Sequence, residues 1–166
     1  CDPRRFGCFL WTKDVETHFL LKDLGPEPLG NYFSGDYLFH NSRKRKVPIK
    51  NFIMNSKVVV GVGNIYATEA LFAAAIRPSS KAGKVPRKKY DLLAKEIVYI
   101  LRKSIEEGGT TLRDFVGGDS KPGYFRQSLR VYGREGEECY ECFSIIKGKR
   151  IGQRASAYCP KCQSNF

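Results

Sequence analysis

Four cysteines near the C-terminus carry the clearest chemistry in this chain. Cys139-x2-Cys142 and Cys159-x2-Cys162 stand sixteen residues apart. Thiolates two residues apart can share one ion from a single turn, and two such turns close a tetrahedral site of the structural zinc type. An iron–sulfur centre or a redox dithiol could use the same spacing. Ile145 to Tyr158, between the pairs, reads as a β-hairpin rich in cations, with Arg154 near its tip or on its second strand. A second chemical signal lies upstream, at Gly61-Val-Gly-Asn64 before the helix-forming run Ile65–Ala75. Glycines permit a tight turn and close approach of a ligand, and Asn is a preferred N-cap. A helix start presents unpaired N–H groups, which suits an anion. The stretch lacks the third glycine of a dinucleotide fingerprint and the Lys-Ser/Thr of a P-loop.

Charge says which anion. The 166 residues carry 29 Lys and Arg against 17 Asp and Glu, a formal net charge of +12. That balance points to a polyanionic partner, nucleic acid above all. No apolar run reaches membrane-spanning length, so no membrane partner is expected. The start, Cys1-Asp-Pro-Arg-Arg5, has no apolar signal segment, which predicts a cytoplasmic protein whose six cysteines are not a disulfide framework. It also has no initiator Met, so a piece of a longer protein is expected.

These groups need elements to position them. Residues 1–24 read as extended, with Phe6–Trp11 as a strand, and Leu24–Leu29 as a turn-rich linker. Short helices are expected over Tyr32–His40 and Ile49–Met54, on either side of the basic cluster Arg43-Lys-Arg-Lys46. Tyr90, Leu93, Ile97, Ile100, Leu101 and Ile105 recur at helical spacing and predict a helix over 87–107, ended by Gly108-Gly109. Thr111 and Asp114 resemble a capping box for a further short helix. Residues 117–130 read as a glycine-rich loop. The fold class is mainly α with a small β part.

Three motifs occur in one order: Asp2-Pro-Arg-Arg-Phe-Gly7, Val59-Val-Gly-Val-Gly-Asn-Ile-Tyr-Ala67, and Lys121-Pro-Gly-Tyr-Phe125. Val131-Tyr-Gly-Arg134, Gln153-Arg-Ala155 and the four cysteines follow. Together they resemble bacterial formamidopyrimidine-DNA glycosylase across nearly the whole chain. The resemblance implies a remnant of an N-terminal catalytic β-sandwich domain (1–24), a helix-two-turns-helix DNA-binding domain (25–130) with a lesion loop at 117–130, and a zinc finger (131–166). It implies one structural zinc ion on Cys139, Cys142, Cys159 and Cys162, and double-stranded damaged DNA as the partner of a monomer. The family excises oxidised purines (8-oxoguanine and formamidopyrimidines) and nicks the strand by β,δ-elimination.

The resemblance also assigns residues. Arg4 would face the orphaned cytosine and Phe6 would wedge beside it. Lys46, Lys50, Asn64 and Tyr132 would bind DNA, the two lysines and Asn64 at phosphates. Lys121 would belong to the loop over the flipped base. Arg154 would grip phosphate near the lesion and serve δ-elimination. A guanidinium is a poor general acid, so electrostatic stabilisation of the leaving phosphate is the expected role. The family's nucleophile is an N-terminal proline amine in a Pro-Glu-Leu-Pro-Glu start, which these residues do not contain. The chain alone is therefore expected to bind DNA without excising a base. Phe143 stands where glycine is frequent in the family, which puts the first knuckle's geometry in question. An endonuclease VIII-type enzyme for oxidised pyrimidines and a non-enzymatic zinc-ribbon module are the alternatives.

Overall fold

The computed structural model describes residues 9–15, 17–109 and 129–166. Four helices and one hairpin organise them: α1 (Gly35–Ser42), α2 (Ile49–Ile53), α3 (Asn64–Ala73), α4 (Arg87–Glu106), β1 (Lys147–Ile151) and β2 (Arg154–Tyr158). None of the described helices is long and apolar enough to cross a membrane.

Local chemistry sets the helix limits. Ser34 accepts a hydrogen bond from Tyr37 N, so α1 starts at Gly35, three residues after the expected Tyr32. Gly35 lies against Asp91 of α4, where a Cβ would strike that residue's backbone. α4 buries Tyr90, Leu93, Ala94, Ile97, Ile100 and Leu101 along one face, as its spacing predicts. Ile105 falls on that periodicity but is 65% exposed, while its neighbour Ser104 takes the buried position of the last turn.

α3 is apolar nearly all round, and it has two cores to fill. Ala67, Ala70 and Leu71 join Leu38, Ile49, Ile53, Leu93 and Ile97 in the larger core. Phe72 joins Val131, Cys139, Ile146, Ala157 and Cys159 in a smaller one. A single helix thus serves both the helical body and the cysteine-bearing segment.

β1 and β2 pair antiparallel, Ile151 opposite Arg154. The two residues between them, Gly152 (φ +54°) and Gln153 (φ +64°), both have positive φ, as a type I′ turn requires. Among the described residues this is the one two-stranded ladder. Residues 9–11 lie in no strand, since a strand needs a neighbour to bond its backbone and the described residues offer none beside them; Phe6–Trp11 reads as the remnant of a sheet whose other strands are absent. Phe9, Trp11 and Phe19 stand exposed. The expected short helix after Thr111 and the loop over 117–128 fall outside the described residues.

Candidate nucleic-acid interface and metal centre

The four cysteines converge. Their sulfurs all lie within 4.8 Å of one another, with Cys142 to Cys159 at 3.4 Å and Cys139 to Cys162 at 3.9 Å. Metal–thiolate bonds of about 2.3 Å at tetrahedral angles place sulfurs just under about 4 Å apart, so the set fits one ion. Their surroundings split their acidities. Burial pushes the Cys159 and Cys162 thiols up, while hydrogen bonds from Ser144 pull Cys142 down to about 6. Crowded thiols resist becoming adjacent anions, and a divalent cation removes that resistance. These four clustered cysteines can hold a metal ion.

Both turns that carry the sulfurs are tied down. In the first, Cys139 N donates to Ser144 O at 3.0 Å and Phe143 N to Cys139 O at 2.9 Å. Phe143 sits at φ +61°, so the knuckle keeps a left-handed residue despite the missing glycine. Its ring projects into solvent, 71% exposed, which spares it a steric conflict with the core. In the second, the Gln163 side chain accepts from Cys159 N and donates to Ile76 O, each at 2.8 Å. Ser164 N donates to Ala75 O, and Arg77 N to Ser164 O. The metal loop is thereby stitched to the segment leaving α3.

The glycine turn has the expected opening and a different cap. Gly61 adopts φ +78°, and a Cβ on Gly61 or Gly63 would meet open space. A ligand backbone can approach there. The N-cap is Gly63, extended at φ −81°, and Asn64 is the first helical residue. The Asn64 side chain makes no cap bond, because the turn leaves the extended region one residue earlier than expected. Its Oδ1 is buried and takes no hydrogen bond among the described residues. The α3 amides are left without a side-chain cap.

Arg154 opens β2 and is exposed, with no hydrogen bond or ion pair from its guanidinium among the described residues. Lys50 departs from its expected place at a phosphate. It is fully buried on α2, and its Nζ donates to Ala155 O at 2.8 Å and Ser156 Oγ at 2.7 Å. Its ammonium therefore braces the strand that carries Arg154 instead of facing solvent. Burial is the main influence on its acidity, lowering its pKa to about 8; Glu135 acts in the opposite direction and Arg154 in the same one. Next to it, Gly152 at the hairpin tip lies so close to the Asn51 side chain that a Cβ would collide. α2 thus grips the hairpin at two successive residues.

Lys46 is exposed. Tyr132 is half-buried against the larger core, and its backbone N–H donates to Glu69 Oε1 at 2.8 Å. Glu69, which sequence reasoning passed over, also accepts from Val131 N at 3.0 Å and, through Oε2, from Arg130 N at 2.9 Å. The available signal was a lone carboxylate in the apolar run Ala67–Phe72. Arg4, Phe6 and Lys121 lie outside the described residues.

An uncapped helix start behind a glycine turn, fastened to a four-cysteine finger that holds up a free arginine, defines a helical-body-plus-finger protein. Comparison with known proteins gives the particular family. Residues 24–116 match the formamidopyrimidine-DNA glycosylase H2TH domain. The chain is 57% identical over 164 residues to formamidopyrimidine-DNA glycosylase of Cellvibrio japonicus, covering 98% of this chain and 61% of that protein. It is 59% identical over 162 residues to that of Ectopseudomonas mendocina, covering 98% and 60%. The crystal structure of MutM (Fpg) from Thermus thermophilus superposes with a TM-score of 0.90 at 34% identity, covering 99% of this chain and 64% of that one. A mutant of Lactococcus lactis Fpg in complex with DNA containing Fapy-dG superposes at 0.81 and 33%, covering 89% and 54%. This chain belongs to the formamidopyrimidine-DNA glycosylase H2TH family, and it spans about three-fifths of the length of those curated relatives.

Proposed function

We propose that this chain is the DNA-gripping part of a bifunctional glycosylase and lyase of base-excision repair, which removes oxidised purines and nicks the strand. One observation carries the reading. Lys50 Nζ bonds the Arg154 strand, so the finger's free arginine is braced by the same helical body that ends in the α3 amides. Two fixed positive points on one body suit a sugar–phosphate strand better than a mobile small anion.

In this reading the metal is one zinc ion with a structural role, held by Cys139, Cys142, Cys159 and Cys162. Four protein ligands leave no open position for substrate. The Asn64 amide and the α3 N–H groups take a phosphate, Lys46 adds a neighbouring charge, and Tyr132 supports the DNA-facing surface. Arg154 stabilises the phosphate that departs in δ-elimination by charge and hydrogen bonding. Arg4, Phe6 and Lys121 are assigned to the lesion itself, the first two in the space vacated by the base and the third in the loop over it. The functional units are 1–24, 25–130 and 131–166. The protein acts as a monomer on duplex DNA in the bacterial cytoplasm, at the nucleoid.

Support comes from the family match and from relatives whose structures hold lesion-containing DNA. The test is a binding titration of the zinc-loaded 166-residue chain against duplexes with and without an abasic site. Salt-sensitive binding is expected, with log K falling by about 3 to 4 per decade of salt if about four cations meet phosphate. The chain alone should release no 8-oxoguanine. Absence of duplex binding, or efficient excision by this chain alone, overturns the assignment.

A further inference from the structure

The turn that carries Cys139 and Cys142 sends three large apolar side chains outward. Tyr140 is 65% exposed, Phe143 71% and Ile145 51%. Hydrogen bonds from Cys139 N to Ser144 O, from Phe143 N to Cys139 O and from Ile146 N to Glu137 O hold these residues within one short loop. None of the three belongs to either core. Phe143 stands at φ +61°, a conformation that strains a bulky residue. No packing of its ring in either core offsets that strain.

The loop is anchored from below. The Arg134 guanidinium stacks over Tyr140, 3.4 Å from the ring centroid. It also donates to Glu137 Oε2 at 2.8 Å, Arg130 O at 2.7 Å and Glu138 O at 2.8 Å. Arg130 in turn pairs with Glu141. The Tyr140 ring is thus held on one face while much of it stays open to solvent. Side chains ordered in advance lose less entropy when a partner covers them.

Charge selects the partner. From Glu135 to Ile145 there are four glutamates and no lysine or arginine, in a chain of net charge +12. Arg134 and Arg130 neutralise Glu137 and Glu141. Of the other two, Glu135 lies against Gly148 of β1. Glu138 is exposed and stands opposite Ile145 across an antiparallel bridge, which puts their side chains on one face. An acidic border around apolar side chains repels phosphate and attracts lysine and arginine. The patch also stands apart from Arg154. It adjoins the Lys147 end of the hairpin, and Arg154, opposite Ile151, is four strand steps away, about 13 Å.

We propose that this knuckle is a protein-docking surface, which takes a segment of a partner protein in which lysine or arginine alternates with apolar side chains. Tyr140, Phe143 and Ile145 cover the apolar side chains, and Glu138 pairs with a cation. Exposed aromatic anchors on a preset loop are what protein interfaces use. The inference goes beyond the DNA grip and does not depend on it.

The test titrates the zinc-loaded chain with the synthetic peptide acetyl-Lys-Leu-Lys-Trp-Lys-Leu-amide and follows backbone amide NMR shifts. Two control peptides replace every lysine by glutamate, or Leu and Trp by serine. Saturable shifts confined to residues 134–146 are expected with the first peptide and with neither control. Phe143→Gly and the double variant Y140S/I145T should each bind it about tenfold more weakly. Both should keep their metal and the wild-type affinity for duplex DNA. Phe143→Gly should unfold at no lower urea concentration than the wild type, because glycine takes a positive φ without strain. Should Phe143→Gly release its metal, Y140S/I145T decides alone, since it leaves residue 143 in place. No binding, shifts elsewhere, equal binding of a control or unchanged affinity in the variants overturns the proposal. A Phe143→Gly chain that keeps its metal but is less stable makes the ring structural and overturns it too. Sedimentation that shows a dimer dissolved by Y140S/I145T gives the patch to a second copy instead. Loss of peptide binding when the chain is extended to the length of its relatives makes the patch an internal interface, which equally removes the partner.

Discussion

The ammonium of Lys50 lies 2.7 Å from Ser156 Oγ, across 106 residues of sequence and between a helix and a strand. A buried lysine on a hydroxyl and a carbonyl, with no carboxylate bonded to it, fixes backbone position two residues from Arg154. Lys50→Met keeps most of the volume and removes the donors. Ala155 O and Ser156 Oγ would then lose their buried donor, at a cost of about 1–3 kcal/mol offset in part by no longer burying a charge. A net loss of about 1 kcal/mol is expected in urea unfolding of the zinc-loaded chain. DNA affinity should fall with it, although Lys50 has no exposed surface to offer a phosphate. A variant as stable and as tight as the wild type would show that the brace does not matter.

The same lysine gives stability a pH signature. Its pKa is about 8 when folded and near 10.5 when free. Between those values the unfolded chain holds a proton that the folded chain has released, so stability rises with pH across that window and levels above it. The slope is at most about 1.4 kcal/mol per pH unit for one proton. Metal-bound thiolates add a rise of the same sign up to the ordinary cysteine range. The contribution of Lys50 is therefore the difference between wild type and Lys50→Met, measured by urea unfolding from about pH 7 to about pH 10.5. That difference should grow with pH; a flat or falling difference would contradict the buried, depressed lysine.

Glu69 should be as costly to lose as any core side chain. One carboxylate satisfies three consecutive backbone donors at 130–132, where the chain turns toward the first cysteine pair. Glu69→Gln keeps an acceptor for Val131 and Tyr132 but turns an NH2 toward Arg130 N, or the reverse. The expected loss is about 1–3 kcal/mol, and Glu69→Ala should cost about 3 kcal/mol or more. Hydrogen exchange at amides 130–132 reports the effect directly: all three should lose protection in the alanine variant, ahead of the α4 amides.

What could be read in advance followed from period and spacing. The α4 face, the cluster of four cysteines and the glycine turn are local patterns, each set by residues within a few positions or by repeated pairs. The misses are contacts between distant segments. Nothing in the neighbourhood of Lys50 says that its partners stand more than a hundred residues away, so local sequence points its charge to solvent and phosphate. The Asn64 cap fails by one residue because Gly63 is extended and takes that position itself. The knuckle at Phe143 stays left-handed without a glycine, with the hydrogen bonds from Phe143 N to Cys139 O and from Cys139 N to Ser144 O holding the turn. For residues 9–11 the composition is strand-like, but pairing is a property of two segments, and the described residues supply only one of them.

Arg154→Ala separates a binding role from a structural one. The guanidinium is exposed and has no partner among the described residues, so its removal should change stability by less than about 0.5 kcal/mol. The alanine variant should retain its metal, because Cys159 and its hydrogen bond to Gln163 lie at the other end of β2. Affinity for an abasic-site duplex should fall about tenfold, equivalent to about 1.4 kcal/mol. The salt slope should become shallower by about one, the signature of one lost phosphate contact. Lys50→Met should weaken binding through loss of stability and order at β2, whereas Arg154→Ala should weaken it with both intact. Metal titration, urea unfolding and the binding isotherm on the two variants distinguish these routes. If Arg154→Ala releases the metal or unfolds the hairpin, the arginine is part of the scaffold and its assignment to phosphate falls.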